Sequence, residues 1–146
     1  MAKYAAVISS VALSLISLPA LGQASLGELL DAGGKKLSKT EVIATLGGAN
    51  LSGPSKTGGA FQVDFKADGS FTGSVQSAAS KSGGLFGTWT VDESGKVCFE
   101  FTSSLGSAGS SRGSNCAFFY KSGDSYFVAE SDTDRGTPLL KRTIKK

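Results

Sequence analysis

From Ala60 onward the apolar residues return at every second position in short runs, and each run ends in a turn. Phe61, Val63 and Phe65 alternate with Gln62, Asp64 and Lys66 before the segment Ala67-Asp68-Gly69-Ser70. A period of two puts alternate side chains on opposite faces of an extended strand, and Asp-Gly between two such runs favours a tight reversal. Phe71, Gly73 and Val75 continue the pattern; Leu85, Gly87, Trp89 and Val91 share the next face, and Val97, Phe99 and Phe101 the one after Asp92-Glu93-Ser94-Gly95. Phe118 to Tyr120, Tyr126 to Glu130 and Leu139 to Ile144 complete the set, and Asn50 to Ser52 adds one more strand if it is counted. Short strands joined by tight turns predict a mainly β fold, a small antiparallel barrel or sandwich of about seven to eight strands.

One or two short N-terminal helices precede the strands. Ser25 with Glu28, and Ser38 with Glu41, have the Ser-x-x-Glu spacing of a capping box. In such a box the hydroxyl accepts from the third helical amide and the carboxylate accepts from the cap amide. Leu37 and Val42 stand where a hydrophobic staple would hold the second helix, and Gly47-Gly48 ends it.

The first residues have a different character. Lys3 is followed by an uncharged apolar stretch from Tyr4 to Gly22, and every aromatic after Tyr4 lies between Phe61 and Phe127. The stretch is diluted by serine, broken at Pro19, and too short for a stable span of ~20 apolar residues. Small residues at Ala20, Gly22 and Ala24 match the pattern cut by signal peptidase. Residues 1–24 are therefore expected to be a signal peptide cleaved after Ala24, with Gly22 as the fallback. Residues 25–146 are expected to form a single secreted β-rich domain, periplasmic or extracellular, with no stable membrane span after processing.

In that compartment the only two thiols, Cys98 and Cys116, are expected to form a disulfide. If their strands pair as a hairpin, Cys98 lies nearly opposite Cys116, Phe101 falls near Gly113, and roughly Ser104 to Ser110 forms the loop. Val97, Phe99, Phe101, Ala117 and Phe119 then share one face; Cys98, Glu100, Cys116, Phe118 and Tyr120 share the other. One face is core. The other is either covered by the N-terminal helix or exposed as a binding surface.

The chain contains no histidine, which excludes Ser-His-Asp and Cys-His catalysis and any His-based metal site. Asp68, Asp92, Glu93, Asp124, Asp132 and Asp134 sit where turns favour acids, leaving Asp64 and Glu100 within strands. Asp132-x-Asp134-x-Gly136 lacks the later bidentate glutamate of a calcium loop. The formal charge of +3 is too small and too scattered for a nucleic-acid binder, and Lys141, Arg142, Lys145 and Lys146 read as a solvated basic terminus. No cofactor, metal or catalytic residue is expected.

The run Gly87-x-Trp89-x-Val91-Asp92-x-x-Gly95-x-x-Cys98-Phe99, followed by Cys116 and Tyr120-Lys121, resembles an uncharacterised family of small secreted bacterial proteins, one of the domains of unknown function. Lys36-Leu37-Ser38-x-x-Glu41 and Phe65-x-x-Asp68-Gly69 fit it too. The resemblance implies a secreted two-cysteine β domain and no particular activity. Gly87-x-Trp89 is also similar to the lipocalin signature, although there the motif lies on the first strand.

The expected function is that of a non-enzymatic binding protein, with a periplasmic or extracellular protein as partner and inhibition of an exported hydrolase as one form of it. The candidate contact site is the Gly- and Ser-rich segment from Ser103 to Ser114, with Leu105 and Arg112 as its only large side chains, or the face around Phe118 and Tyr120. The alternative is a carrier of a small apolar ligand in a lipocalin-like barrel, against which the phenylalanine content predicts a filled core. A carboxylate-dependent enzyme is third.

Overall fold

The computed structural model describes residues 24–104 and 111–146. The expected leader and cleavage site, apart from Ala24, and the candidate contact residue Leu105 lie outside the described residues.

Two helices come first among these, α1 (Leu26–Asp31) and α2 (Lys39–Leu46), with the two-residue strand β1 (Lys35–Lys36) between them. Both capping boxes form: Ser25 and Ser38 accept from the amides of Glu28 and Glu41, whose carboxylates accept from the cap amides at 2.8 Å. Leu37 and Val42 are buried in one cluster, as a staple requires.

Eight strands follow: β2 (Asn50–Pro54), β3 (Ala60–Phe65), β4 (Ser70–Gln76), β5 (Ser82–Val91), β6 (Lys96–Ser103), β7 (Ser111–Ser122), β8 (Ser125–Ala129) and β9 (Leu140–Lys145). Each pairs antiparallel with the next, and β2 pairs with β9. The sheet therefore closes into an eight-stranded barrel, with β1 added beside β7 as an extra strand. Closure removes the exposed sheet edges that a sandwich of this size would have to protect.

The disulfide fixes the register of the central pair. Cys98 and Cys116 are bonded and stand directly opposite, with Cα atoms 4.1 Å apart; Phe101 is opposite Gly113. The pairing runs on through Thr102↔Arg112 to Ser103↔Ser111, so β7 begins at Ser111. Arg112 thus lies in a strand and not in a loop, because the ladder continues for as long as both backbones can exchange bonds.

Inward side chains form one core and an outer cluster forms a second. Leu51, Val63, Phe65, Phe71, Trp89, Val97, Ala117, Phe119 and Val128 fill the inner face, joined by Leu37, Val42 and Leu46 of the α2 region. Lys39 pairs with Glu93 in the β5–β6 turn, and the Gly48 amide donates to the Phe65 carbonyl at 3.0 Å. α2 therefore caps the end of the barrel that carries the β3–β4 and β5–β6 turns. Trp89 is packed at that end, its ring edge-on to Phe65 at 5.5 Å and its indole N–H donating to the Lys66 carbonyl.

The second cluster joins Leu26 and Leu29 of α1 to Phe118, Tyr120, Ala129 and Leu139 on the outside of β7, β8 and β9. Tyr120 is 1% exposed and Phe118 5%. Of the face expected either to be covered or to bind, the part carrying Phe118 and Tyr120 is covered while Glu100 and Cys116 stay exposed, so Phe118 and Tyr120 present no contact surface. Burying two aromatic rings against a leucine-bearing helix stabilises the fold more than leaving them in water.

Candidate functional site

No helix among the described residues lies over the opposite end of the barrel. The β2–β3 and β4–β5 turns and the ends of β6, β8 and β9 surround it, and from there a cavity of about 430 Å³ runs into the interior. Its floor is Phe65, Phe71 and Phe119; its walls are Leu51, Val63, Val75, Leu85, Phe99 and Val128; its rim is Ser55, Lys56, Thr57 and Ser103. A filled phenylalanine core is therefore not what forms. Pockets for small molecules span ~300–1,000 Å³ and are mostly apolar with a few placed polar groups, and this cavity has both properties.

Two charged residues among those described border it, Lys56 and Arg142. Lys56, in the β2–β3 turn, forms an ion pair with Glu130 just beyond β8. A smaller recess of about 190 Å³, lined by Asn115, Glu130, Pro138 and Leu140 among others, adjoins it and shares Arg142.

Arg142 reverses an expectation. It belongs to strand β9, on the inward parity with Leu140 and Ile144, and is only 9% exposed. It is not part of a solvated basic terminus. Strand alternation decides this: Lys141, Thr143 and Lys145 face away from the interior while position 142 faces into it. Its Nη1 donates to the carbonyls of Pro54 at 2.9 Å and Lys141 at 3.2 Å, and the guanidinium carbon sits 5.0 Å from the Phe61 ring centroid. Burial pushes its pKa down to about 10, which leaves it cationic at neutral pH.

Other charged groups have ordinary structural roles. Asp68 and Asp92 each accept from the amide and hydroxyl of the serine two residues on, and those bonds hold both carboxyls below the usual range. Asp132 accepts from Lys36 at 2.7 Å, which lowers its pKa, and Asp134 accepts from the Gly136 amide at 2.9 Å, so this segment forms a turn. Asp64 accepts from Asn50, and Glu100 is exposed on the outer face. Neither borders the cavity. No group of three or more His, Cys, Asp or Glu placed to hold a metal occurs among the described residues, and no helix among them is long and apolar enough to cross a membrane.

A family model described as a protein of unknown function, DUF995, matches residues 13–134. The chain belongs to this family. The match takes in α1 through β8 and stops before β9, so DUF995 membership covers the disulfide and most of the barrel but does not extend to Arg142. Neither curated proteins nor solved structures give a significant match.

Of the residues singled out in the sequence as contacts, the structure buries Phe118 and Tyr120 under α1 and places Arg112 on the exposed outer side of β7. It does not bring them together. The cavity was missed because aromatic content speaks for filling, and only the closed topology shows where the rings lie. Arg142 had one usable signal, its even spacing from Leu140 and Ile144.

Proposed function

We propose that this is an exported, non-enzymatic protein that binds a small, largely apolar molecule inside its barrel. The observation that carries the reading is the cavity of about 430 Å³, capped at one end by α2 and walled by apolar side chains. At ~30 Å³ for the share of one water molecule in the liquid, it holds a flexible aliphatic ligand of roughly fourteen non-hydrogen atoms, or a planar aromatic one with a few more, whose fused rings take less volume per atom. Export is supported by the disulfide, which persists in oxidising compartments, and by the apolar leader. Protein binding has less support, since the aromatic face offered for it is occupied by the protein's own helix.

The test is titration with N-phenyl-1-naphthylamine, a neutral dye that brightens in apolar surroundings. Saturable binding at one site per chain is expected. Asn115→Trp, which places an indole on the inner face beside the rim, should weaken it by about tenfold or more. Phe86→Ser, on the outer face where Phe86 is 50% exposed, should leave it unchanged. Absence of saturable binding, or an Asn115→Trp variant that binds as well as wild type, would overturn the proposal.

A further inference from the structure

Arg142 is the only charge bordering the cavity without an opposite partner among the described residues, since Lys56 is paired with Glu130 and no carboxylate lines the 430 Å³ space. Its position is built and not incidental. On the neighbouring strand β2, Gly53 leaves the room the guanidinium occupies: a Cβ there would lie 2.9 Å from Nη1 and 2.9 Å from the Lys141 carbonyl. Phe61 supports the guanidinium with its ring, and the two carbonyl acceptors use both hydrogens of Nη1. That leaves the edge formed by Nε and Nη2 without an acceptor among the described residues. No buried polar side-chain atom among the described residues lacks a partner, so this edge is one that solvent or a ligand can reach.

We propose that Arg142 is the anion-recognising residue of the cavity and selects a singly charged, carboxylate-headed amphiphile with a medium-length hydrocarbon chain. This rests on the reading of the cavity as a ligand site. A guanidinium edge offers two parallel N–H groups at the spacing of the two carboxylate oxygens, and such bidentate pairs are the strongest ordinary hydrogen bonds in proteins. The apolar wall takes the chain, whose length the volume limits to about twelve carbons. A single cation matches a single negative charge, and a dianionic phosphate would carry one charge too many into an apolar space. Burial adds to the driving force, because a guanidinium largely withdrawn from bulk water and wetted only at one edge is under-solvated, and an anion at that edge relieves the cost. The downward shift of the Arg142 pKa has the same origin.

The experiment is displacement of N-phenyl-1-naphthylamine from the disulfide-bonded protein by dodecanoate and by dodecanol, both below their aggregation limits. Dodecanoate is expected to displace the dye at about tenfold lower concentration or less than dodecanol. In Arg142→Gln the preference for the acid, read against that variant's own dye affinity, should vanish, while Arg142→Lys should keep part of it. If the dye binds wild type but the acid and the alcohol compete equally, Arg142 only ties β2 to β9 and this inference falls while the cavity reading stands. If the dye does not bind, both fall. Where Arg142→Gln fails to fold, equal competition on wild type still overturns the inference, and an acid preference retained in Lys56→Gln, which removes the other rim cation, still supports it.

Discussion

Removing the Cys98–Cys116 bridge isolates one contribution to stability that the structure allows to be worked out. The two sulfurs lie on the outer face of the β6–β7 pair, Cys98 half-buried and Cys116 exposed, so a serine at either position forfeits little apolar burial. What is lost is the cross-link. The bridge joins residues 18 apart, and the chain-entropy relation for a loop of that length gives about 3 kcal/mol of restriction on the unfolded chain. For a domain of this size that corresponds to a fall of roughly 10–15 °C in Tm. Cys98→Ser, Cys116→Ser and the double variant should therefore lose the same amount, because each removes the same bond, and reduction of wild type should match them. Urea unfolding followed by Trp89 fluorescence checks this, and the slope should steepen in the variants as the unfolded chain expands. Losses below about 1 kcal/mol, or losses in the single variants that add in the double, would refute the cross-link account.

Three further outcomes are expected. Tyr120, buried under α1 and facing Asp132, has its pKa pushed up to about 12, first by desolvation and then by that carboxylate; the unfolded tyrosine ionises near 10, so its contribution is intact below pH 10 and is lost as pH rises through 12. Tyr120→Phe should remove this part of the alkaline decline, about 2–3 kcal/mol, and identical pH–stability profiles for the two proteins would count against it. Trp89, the only tryptophan and 7% exposed, should emit at short wavelength and resist acrylamide, and emission like that of the free amino acid would contradict the α2-capped end. N-terminal sequencing of protein recovered after export should begin at Ser25, or at Gln23 from the fallback site, whereas an intact Met1 would sink the export reading.

Local signals in this chain were legible wherever the same residues decide both local and global structure. Asp68 and Asp92 mark their turns because each carboxylate bonds its own backbone two residues on, and Gly69 and Gly95 follow with φ near 87° and 82°. Both capping boxes and the Cys98↔Cys116 register were readable for the same reason. β1 was not, since Lys35 and Lys36 carry no alternation and pair with Lys121 and Tyr120 only because α1 and α2 bring them there. Barrel closure was not readable either, since it depends on β2 meeting β9, positions separated by most of the chain. The reading of Lys141 to Lys146 as a solvated tail weighed charge above period, and burial of Arg142 shows that period was the stronger constraint.

Why so many phenylalanines leave a cavity follows from where the inner-face glycines fall. Opposite Phe101 stands Gly113, and a Cβ there would lie 2.6 Å from the Phe101 ring, so the ring lies against the wall of β7 and not across the lumen. Opposite Phe71 stands Gly87, where a Cβ would come well inside van der Waals contact of the β6 backbone, and Gly73 is pressed against β3 in the same way. At these two positions the strands can bend sharply and approach closely, which a small barrel needs in order to close. Phe65, Phe71 and Phe99 then pack on one another, with centroids 5.5 to 6.2 Å apart, toward the α2 end. The aromatic mass is drawn to the capped end and the wall, and the space it vacates lies at the other end, beside Arg142. Position by position, then, the pairing of large and absent side chains on neighbouring strands sets how much of this interior is empty, and that pairing is a property of register, which no count of phenylalanines contains.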